Sequence, residues 1–173
     1  MQLYTKKLLW PHILWQPLLA IIFVAALLYT LRGANMGSLT WAVGAGAMSS
    51  SVCLVFGTPS LRSARVQNIL GGYAIAMICG LLVQFCTIHV SHICLDYWRC
   101  QTALHSFVFA AVVGLVLIVM SCFHCQHPPA AGLALVIALD IGHYAVLIVI
   151  AVAAIVLAAL KILLRSYLRD LVD

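Results

Sequence analysis

The sequence predicts an all-α polytopic membrane helix bundle, a single domain of about six crossings extending over residues 1–173. Of its 173 residues, 65% are hydrophobic and only 8% are charged, whereas soluble domains are about 45–50% apolar and about 25% charged. This excess is too large for a buried core alone, so we expect an integral membrane protein. No polar stretch exceeds roughly a dozen residues, well below the size of an independently folding soluble unit.

Apolar runs of the length that spans a bilayer follow one another along the chain. A bilayer core requires about 20 apolar residues per helix. The first run ends at Leu31-Arg32-Gly33 without a small-x-small cleavage site, so we interpret it as a retained span rather than a signal peptide. The predicted full spans are Ile13–Leu31, Leu39–Phe56, Ile69–Val90, Leu104–Cys122 and His143–Leu164.

The basic residues form three groups whose positions predict an even number of crossings. Positive loops face the cytoplasm, so a cytoplasmic location for all three groups also places both termini there. Five full spans then require a sixth crossing. The groups are Lys6 and Lys7 before the first span, Arg62 and Arg65 after the second, and Lys161, Arg165 and Arg169 at the C-terminal end.

The sixth crossing is predicted at the segment FHCQHPPAAGLALVIALD, Phe123–Asp140. As a helix, Pro129–Asp140 rises only about 18 Å, which falls short of the roughly 30 Å hydrocarbon core. Extended chain before it would close the gap, and the proline pair suits the start of a helix. The alternative interpretation is a re-entrant hairpin, which leaves five full crossings.

The start of this half-helix is the first candidate site. Non-helical backbone at membrane depth is tolerated only where it is buried in protein or lines a watery cavity. We therefore expect the start of the half-helix at the centre of the bundle, where free N–H groups and the helix dipole attract an anion. The expected binding residues are His127, Pro128, Pro129, Ala130 and Ala131.

His127 has three interpretations: it binds the anion, relays a proton, or hydrogen-bonds a backbone carbonyl. His124 is expected nearer the membrane surface. Ser50 belongs to the run Ser49–Ser51 in the second span, where serines either bond helical carbonyl groups or line a pathway.

Three further polar residues complete the candidate binding set. Asn68, at the start of a helix, is either an N-cap or a ligand group. Arg62 and Arg65 either set the topology and contact lipid headgroups, or enrich an anion at the cytoplasmic mouth.

A metal site is the alternative interpretation of the segment CFHCQH. Thiols and imidazoles bind soft or borderline cations, but the spacing matches no standard zinc pattern. We therefore expect no metal and no cofactor. Cys94 and Cys100 flank the polar loop Ser91–Thr102 and would pair only in an oxidising compartment. The possible metal ligands are Cys122, His124, Cys125 and His127.

Hydrolytic chemistry has little support in this sequence. There is no serine nucleophile elbow, phosphate loop, carboxylate pair or H-E-x-x-H motif, and the chain has only four acidic residues. We expect no enzymatic activity. The expected partners are a small inorganic anion and membrane lipid, with no nucleic acid, and a chain this small is expected to form a homo-oligomer.

At HPPAAGLAL and at FGTPSLRSARVQNILGGYAIAMICGLL the chain resembles the HPP family of small integral membrane proteins, over roughly residues 39–164. His127-Pro128-Pro129 matches the triplet that names the family. Plant plastid relatives are associated with nitrite transport, so the resemblance implies a multi-span fold and a small-anion permease. The family usually has Pro-Arg-Asn before Gly-Gly-His, where this chain has Val66-Gln67-Asn68 and Gly71-Gly72-Tyr73.

The expected function is therefore a transporter or channel for a small inorganic anion, with nitrite as the first candidate, in a bacterial inner membrane. The alternative is a non-transporting membrane subunit or sensor. The metal-binding membrane protein is the third interpretation.

Overall fold

The computed structural model describes the backbone of residues 2–35, 39–91, 98–139 and 144–171. Side chains are described over the same ranges, except at residues 2–11, 34–35, 39, 89–91, 98–106 and 108–109. These ranges form six α-helices and one 3-10 turn, Arg62–Ala64, and contain no strand. The helices are α1 (Gln2–Asn35), α2 (Leu39–Gly57), α3 (Val66–Ser91), α4 (Trp98–Cys122), α5 (Pro128–Leu139) and α6 (Tyr144–Leu163).

This architecture confirms the predicted all-α bundle with one short, interrupted element, although the helix bounds differ from the expected ones. α1 begins at Gln2, well before the first apolar run. α3 extends through Ser91 and α4 begins at Trp98, so both bounds of the polar loop predicted at Ser91–Thr102 are wrong. Helical hydrogen bonds satisfy the backbone of polar residues as well as apolar ones, so helices continue past the apolar run.

Four of the described helical stretches are long and apolar enough to cross a membrane. They are His12–Gly33, Thr40–Gly57, Val66–Ile88 and Tyr144–Leu163. Two shorter apolar stretches, Ala110–Cys122 and Pro128–Leu139, belong to α4 and α5.

α5 lies at the centre of the bundle. It packs against α2, α3 and α4, and seven of its 12 residues are buried. Gly80 lets α3 approach closely, since a Cβ there would lie 2.9 Å from the carbonyl oxygen of Ala134 and 2.8 Å from Cβ of Ile137. A helix that is apolar on all sides, as α5 is, suits this enclosed position.

One end of the bundle, which we call the proximal face, joins the end of α2, the start of α3 and the end of α6. The Lys161 ammonium donates to the carbonyl oxygens of Pro59, at 2.9 Å, and Ala64. Buried Gln16 donates through Nε2 to the carbonyl oxygens of Phe56 and, at 2.9 Å, Arg169. The described contacts thus hold α1, α2 and the C-terminal segment together.

The helices alternate in direction from this face. α5 runs parallel to α3, because His127 adjoins Gly72 and Ile137 adjoins Gly80. α6 runs back, because Lys161 lies at the proximal face. A re-entrant hairpin would place Lys161 at the opposite end, so the direction of α6 supports the six-crossing interpretation. The number of membrane crossings stays a prediction.

His127 lies about 9 Å inside the proximal helix ends. It adjoins Ser51, which is six residues before Gly57, and Gly72, which is six residues after Val66. The 12 residues of α5 add about 18 Å at 1.5 Å per residue. Together the two distances cover about 27 Å, close to the roughly 30 Å bilayer core.

Asp170 connects the C-terminal segment to the connection between α2 and α3. The Ser60 backbone N–H donates to its Oδ1 atom at 3.0 Å. Hydrogen bonds from the side chain and backbone of Ser60, with a further contribution from the Lys161 charge, lower the pKa of the Asp170 carboxyl. The ionised carboxylate therefore stabilises the folded state.

Acidification is expected to remove this contribution. Because the folded-state pKa of Asp170 lies below the unfolded value of about 3.9, the stabilisation is present above the unfolded pKa and disappears as the pH falls through the folded pKa. At neutral pH, Asp170→Asn should lower the free energy of unfolding by less than about 1 kcal/mol. Thermal unfolding of both proteins in detergent measures this. A difference between wild type and variant that stays constant down to about pH 3 would contradict the assignment.

Candidate functional site

α4 ends in a left-handed turn that directs the chain into the bundle. His124 has a φ of 54°, which histidine adopts more readily than most residues. The His124 N–H bonds to the Ser121 carbonyl at 3.1 Å, and the Cys125 N–H bonds to the Met120 carbonyl at 2.9 Å. These two bonds form a Schellman motif. The chain then continues without helical structure through residues 125–127.

α5 begins at Pro128, one residue earlier than predicted. Pro128 and Pro129 have no N–H, and the Ala130 N–H bonds to the His127 carbonyl at 3.0 Å. The expectation of free N–H groups at the start of this helix is therefore wrong. Ala130 and Ala131 are buried, and their role as binding residues stays a prediction.

The His127 imidazole is fully buried and hydrogen-bonded on both sides. Its Nδ1 atom lies 2.7 Å from the Ser63 carbonyl oxygen, and its Nε2 atom lies 2.7 Å from Ser51 Oγ. Ser51 Oγ also lies 2.8 Å from the hydroxyl of Tyr73. We call the side chains of His127, Ser51 and Tyr73, together with the Ser63 carbonyl, the His127 cluster. It joins α2, α3, the 3-10 turn and the segment before α5.

Two adjacent glycines of α3 make room for this segment. A Cβ at Gly72 would lie 2.5 Å from Cβ of His127, and a Cβ at Gly71 would lie 2.9 Å from Cβ of Cys125. Since β-carbons are held by the backbone, neither neighbour could move aside by a rotamer change alone. The glycine pair therefore sets how closely His127 approaches α3.

Asn68 holds the same segment from the first turn of α3. Its side-chain Nδ2 donates to the Gln126 carbonyl at 3.1 Å. The N-cap interpretation is wrong, because α3 begins at Val66 and Asn68 lies inside the helix. Its Oδ1 atom is buried and has no hydrogen-bond partner among the described residues. The ligand interpretation of Asn68 stays a prediction.

Four other predicted residues lie outside the His127 cluster. Ser50 is exposed, and its hydroxyl bonds to the Gly46 carbonyl at 3.0 Å. His124, Arg62 and Arg65 are also exposed, and the two arginines lie at the proximal face beside Ser63.

The possible metal ligands do not form a cluster either. Cys125 and His127 are buried, whereas Cys122 and His124 are exposed. Over the part of the chain whose side chains are described, no three histidine, cysteine or acidic side chains lie together in a metal-ligand arrangement. The pairing of Cys94 with Cys100 lies outside the described side chains.

A groove of about 580 Å³ lies between α3 and α4. Gln67 and His124 line its proximal end, and Ile78 and Val119 line its apolar part. Cys125 also lines the groove, and it is only two residues from His127. The groove therefore reaches the backbone next to the His127 cluster.

Sequence reasoning missed Ser51 and Tyr73 as the partners of His127. Ser51 stands seven residues after Gly44, a spacing that puts both on one helix face, and both are buried against the rest of the bundle. Tyr73 directly follows the glycine pair. These spacings were the available signals, because polarity alone does not distinguish Ser51 from Ser50.

Comparison with known proteins identifies a family. A model of the family described as "HPP, transmembrane region" matches residues 5–170. No curated protein and no solved structure matches the chain.

Proposed function

Since the chain belongs to the HPP family and is an integral, multi-pass membrane protein, we propose that it moves a small inorganic anion across the membrane, with nitrite as the first candidate. One observation supports this most: the buried imidazole of His127 lies about 9 Å inside the helix ends, where the helical path is interrupted. Ionisable side chains at such depth are costly and typically mark a solute or proton pathway.

Cationic groups around the 3-10 turn support an anionic solute. Arg62 and Arg65 are exposed there, and the Lys161 ammonium bonds to the Ala64 carbonyl. Positive charge raises the local concentration of anions at the mouth of a pathway. We place the proximal face, and with it both ends of the chain, in the cytoplasm of a bacterial cell, following the positive-inside rule.

The apolar groove between α3 and α4 supports a link to protons. A bare anion would lose its hydration in this groove without gaining enough polar partners. A weak-acid anion avoids that cost when a proton crosses with it, and a histidine is suited to exchanging protons near neutral pH. We therefore propose proton-linked transport, without a catalytic step and without a bound cofactor.

The second candidate is a non-transporting membrane subunit. The observation that favours it is that both ring nitrogens of His127 already have protein partners. In that case the His127 cluster would only hold four elements together. In either case we propose a homo-oligomer surrounded by lipid.

Reconstituted vesicles can decide between the two candidates. We expect wild-type protein in liposomes to take up at least one of nitrite, nitrate, formate and chloride. Uptake should be faster with an acidic exterior, because proton and anion enter together. His127→Ala should reduce the initial rate at least about tenfold, a loss typical of removing a group that transfers protons.

The matched control is Gln126→Ala, which changes the exposed neighbouring side chain and should leave uptake within about twofold, as for surface substitutions. Each variant is compared at equal amounts of monodisperse protein. Absence of uptake of all four anions by wild type and His127→Ala alike would favour the non-transporting subunit. Uptake that does not depend on the pH gradient would support anion transport but contradict its link to protons.

A further inference from the structure

The protonation pattern of neutral His127 follows from its partners. The Ser63 carbonyl oxygen can only accept a hydrogen bond, and it lies 2.7 Å from Nδ1. Nδ1 therefore carries a proton, and in the neutral imidazole Nε2 is the acceptor. The partner of Nε2 is Ser51 Oγ, at 2.7 Å, which must then donate.

The Ser51 hydroxyl has a second acceptor within reach. Its Oγ atom lies 3.0 Å from the Ala47 carbonyl oxygen, one helical turn earlier, and 2.8 Å from the Tyr73 hydroxyl. A serine hydroxyl has one hydrogen to donate and two lone pairs to accept with. From one oxygen position, Ser51 can therefore donate either to His127 or to Ala47.

We propose that the His127 cluster is a proton-binding site, in which rotation of the Ser51 hydroxyl between His127 Nε2 and the Ala47 carbonyl lets His127 gain or lose a proton without movement of heavy atoms. This assigns Ser51 as a positioning residue for the proton. The inference rests on the proposed function only for its role in transport, since the hydrogen-bond accounting is independent of it.

In the neutral state, the Tyr73 O–H donates to Ser51, Ser51 donates to Nε2, and Nδ1–H donates to Ser63. When one proton is added, it stays on Nε2, and Nε2–H donates to Ser51 Oγ. The Ser51 O–H turns to Ala47, while Tyr73 and Nδ1–H keep their acceptors. Every donor is satisfied in both states, so neither state carries the cost of an unpaired buried group.

The charges around the cluster couple the proton to an anion. Three cationic side chains, on the 3-10 turn, directly after it and on α6, lie at the same end of the bundle as the cluster, and repulsion between like charges opposes a positive charge on His127. An anion arriving at the proximal face would offset that repulsion, so anion and proton should bind cooperatively. The titratable groups on the packed elements are Tyr73, Cys125, Arg62, Arg65, Lys161 and, bonded to Ser60, Asp170.

The test is the titration of His127 itself, followed by nitrogen-15 NMR of the folded full-length protein in nanodiscs, alongside the pH profile of uptake. Ser51→Ala removes the only described acceptor of Nε2–H. Bonds to a charged group are stronger than bonds to a neutral one, so the His127 midpoint should fall by about one pH unit. The pH at which uptake is half-maximal should fall with it.

Three variants separate the hydroxyl from a structural effect. Ser51→Thr keeps the hydroxyl and should titrate within about 0.3 pH units of wild type, less than the change expected from losing the bond. Tyr73→Phe removes a donor used in both states and should shift the midpoint less than Ser51→Ala does. Ser49→Ala is the matched control, because Ser49 makes the same bond to the Ala45 carbonyl, at 2.8 Å, away from His127.

A midpoint in Ser51→Ala equal to that of wild type, or a shift in Ser51→Thr as large as in Ser51→Ala, would overturn the proposal. So would a wild-type His127 that does not titrate over the range in which the protein stays folded. If Ser51→Ala does not fold, Ser51→Cys replaces it, and its weaker hydrogen bonds should give a smaller shift in the same direction. Because the titration needs no transport, absent uptake would reject the proposed function and leave this result independent.

Discussion

Replacement of His127 with alanine is expected to lower the free energy of unfolding by about 3 kcal/mol. The substitution removes two hydrogen bonds of 2.7 Å, to Ser51 and to the Ser63 carbonyl. It also leaves a cavity at a site that is fully buried in the native protein. An unpaired buried polar group costs about 1–3 kcal/mol, and the lost packing adds to this. Chemical unfolding of purified protein in detergent, followed by circular dichroism, measures the loss.

The neighbouring substitution Gln126→Ala provides the scale for this measurement. The Gln126 side chain is exposed and bonds only to the Ser121 hydroxyl, at 2.8 Å, among its described contacts. Its loss should cost less than about 0.5 kcal/mol, as for most surface changes. Equal losses in the two variants would show that His127 does not hold α2 and the 3-10 turn together.

Replacement of Gly72 with alanine is expected to cost about 1–3 kcal/mol, the usual range for overpacking. The added Cβ would lie 2.5 Å from Cβ of His127, so either α3 or the segment before α5 must shift. The shift would move the imidazole away from Ser51. We therefore expect a lower unfolding midpoint together with a loss of uptake, measured by thermal unfolding and by liposome flux on one preparation.

Gly46→Ala is the matched glycine control. Nothing lies within 4 Å of the position that its Cβ would take. Alanine is favoured over glycine inside a helix by about 1 kcal/mol, so this variant should be as stable as wild type or more so. If Gly72→Ala were as stable as Gly46→Ala, the close approach of His127 to α3 would not be a constraint.

The architecture was largely predictable, because the rules involved concern length and backbone chemistry. Apolar runs long enough to span a bilayer predict helices, whether protein or lipid surrounds them. The His127-Pro128-Pro129 run predicts an interruption followed by a helix start, since proline lacks an N–H and restricts the preceding residue. The positions of the three basic groups then predicted an even number of crossings, namely six, which the position of Lys161 supports.

The partners of His127 were not predictable in the same way. In a soluble helix, the apolar face marks the buried side, but α2 is apolar on nearly all sides, so polarity does not indicate which face meets α5. Ser50 and Ser51 are adjacent and chemically identical, and the hydroxyl oxygen of each lies within hydrogen-bond distance of the carbonyl group four residues earlier. Only the packing of α2 against α5 places Ser51 beside the imidazole and leaves Ser50 exposed.

Asn68 illustrates a second limit. Its position near the start of a helix suggested capping, but helix starts are the least certain boundaries. α3 begins two residues earlier, at Val66. The side chain instead donates a hydrogen bond to a carbonyl group of the non-helical segment. The two residues are far apart in the sequence, so no local pattern reveals this contact.

Because residues 125–127 are not helical and α5 begins only at Pro128, the two ends of the bundle differ in how firmly the backbone around His127 is held. A solute reaching His127 from the proximal side would have to displace only the short, non-helical segment of residues 125–127, which is held by hydrogen bonds such as the one from Asn68 to the Gln126 carbonyl. A solute from the other side would have to separate α5 from α2, α3 and α4 along most of its length. If the chain moves a solute as proposed, we therefore expect the imidazole to be reached more easily from one bilayer leaflet than from the other, and blocking reagents added on the two sides of a vesicle should differ in effect.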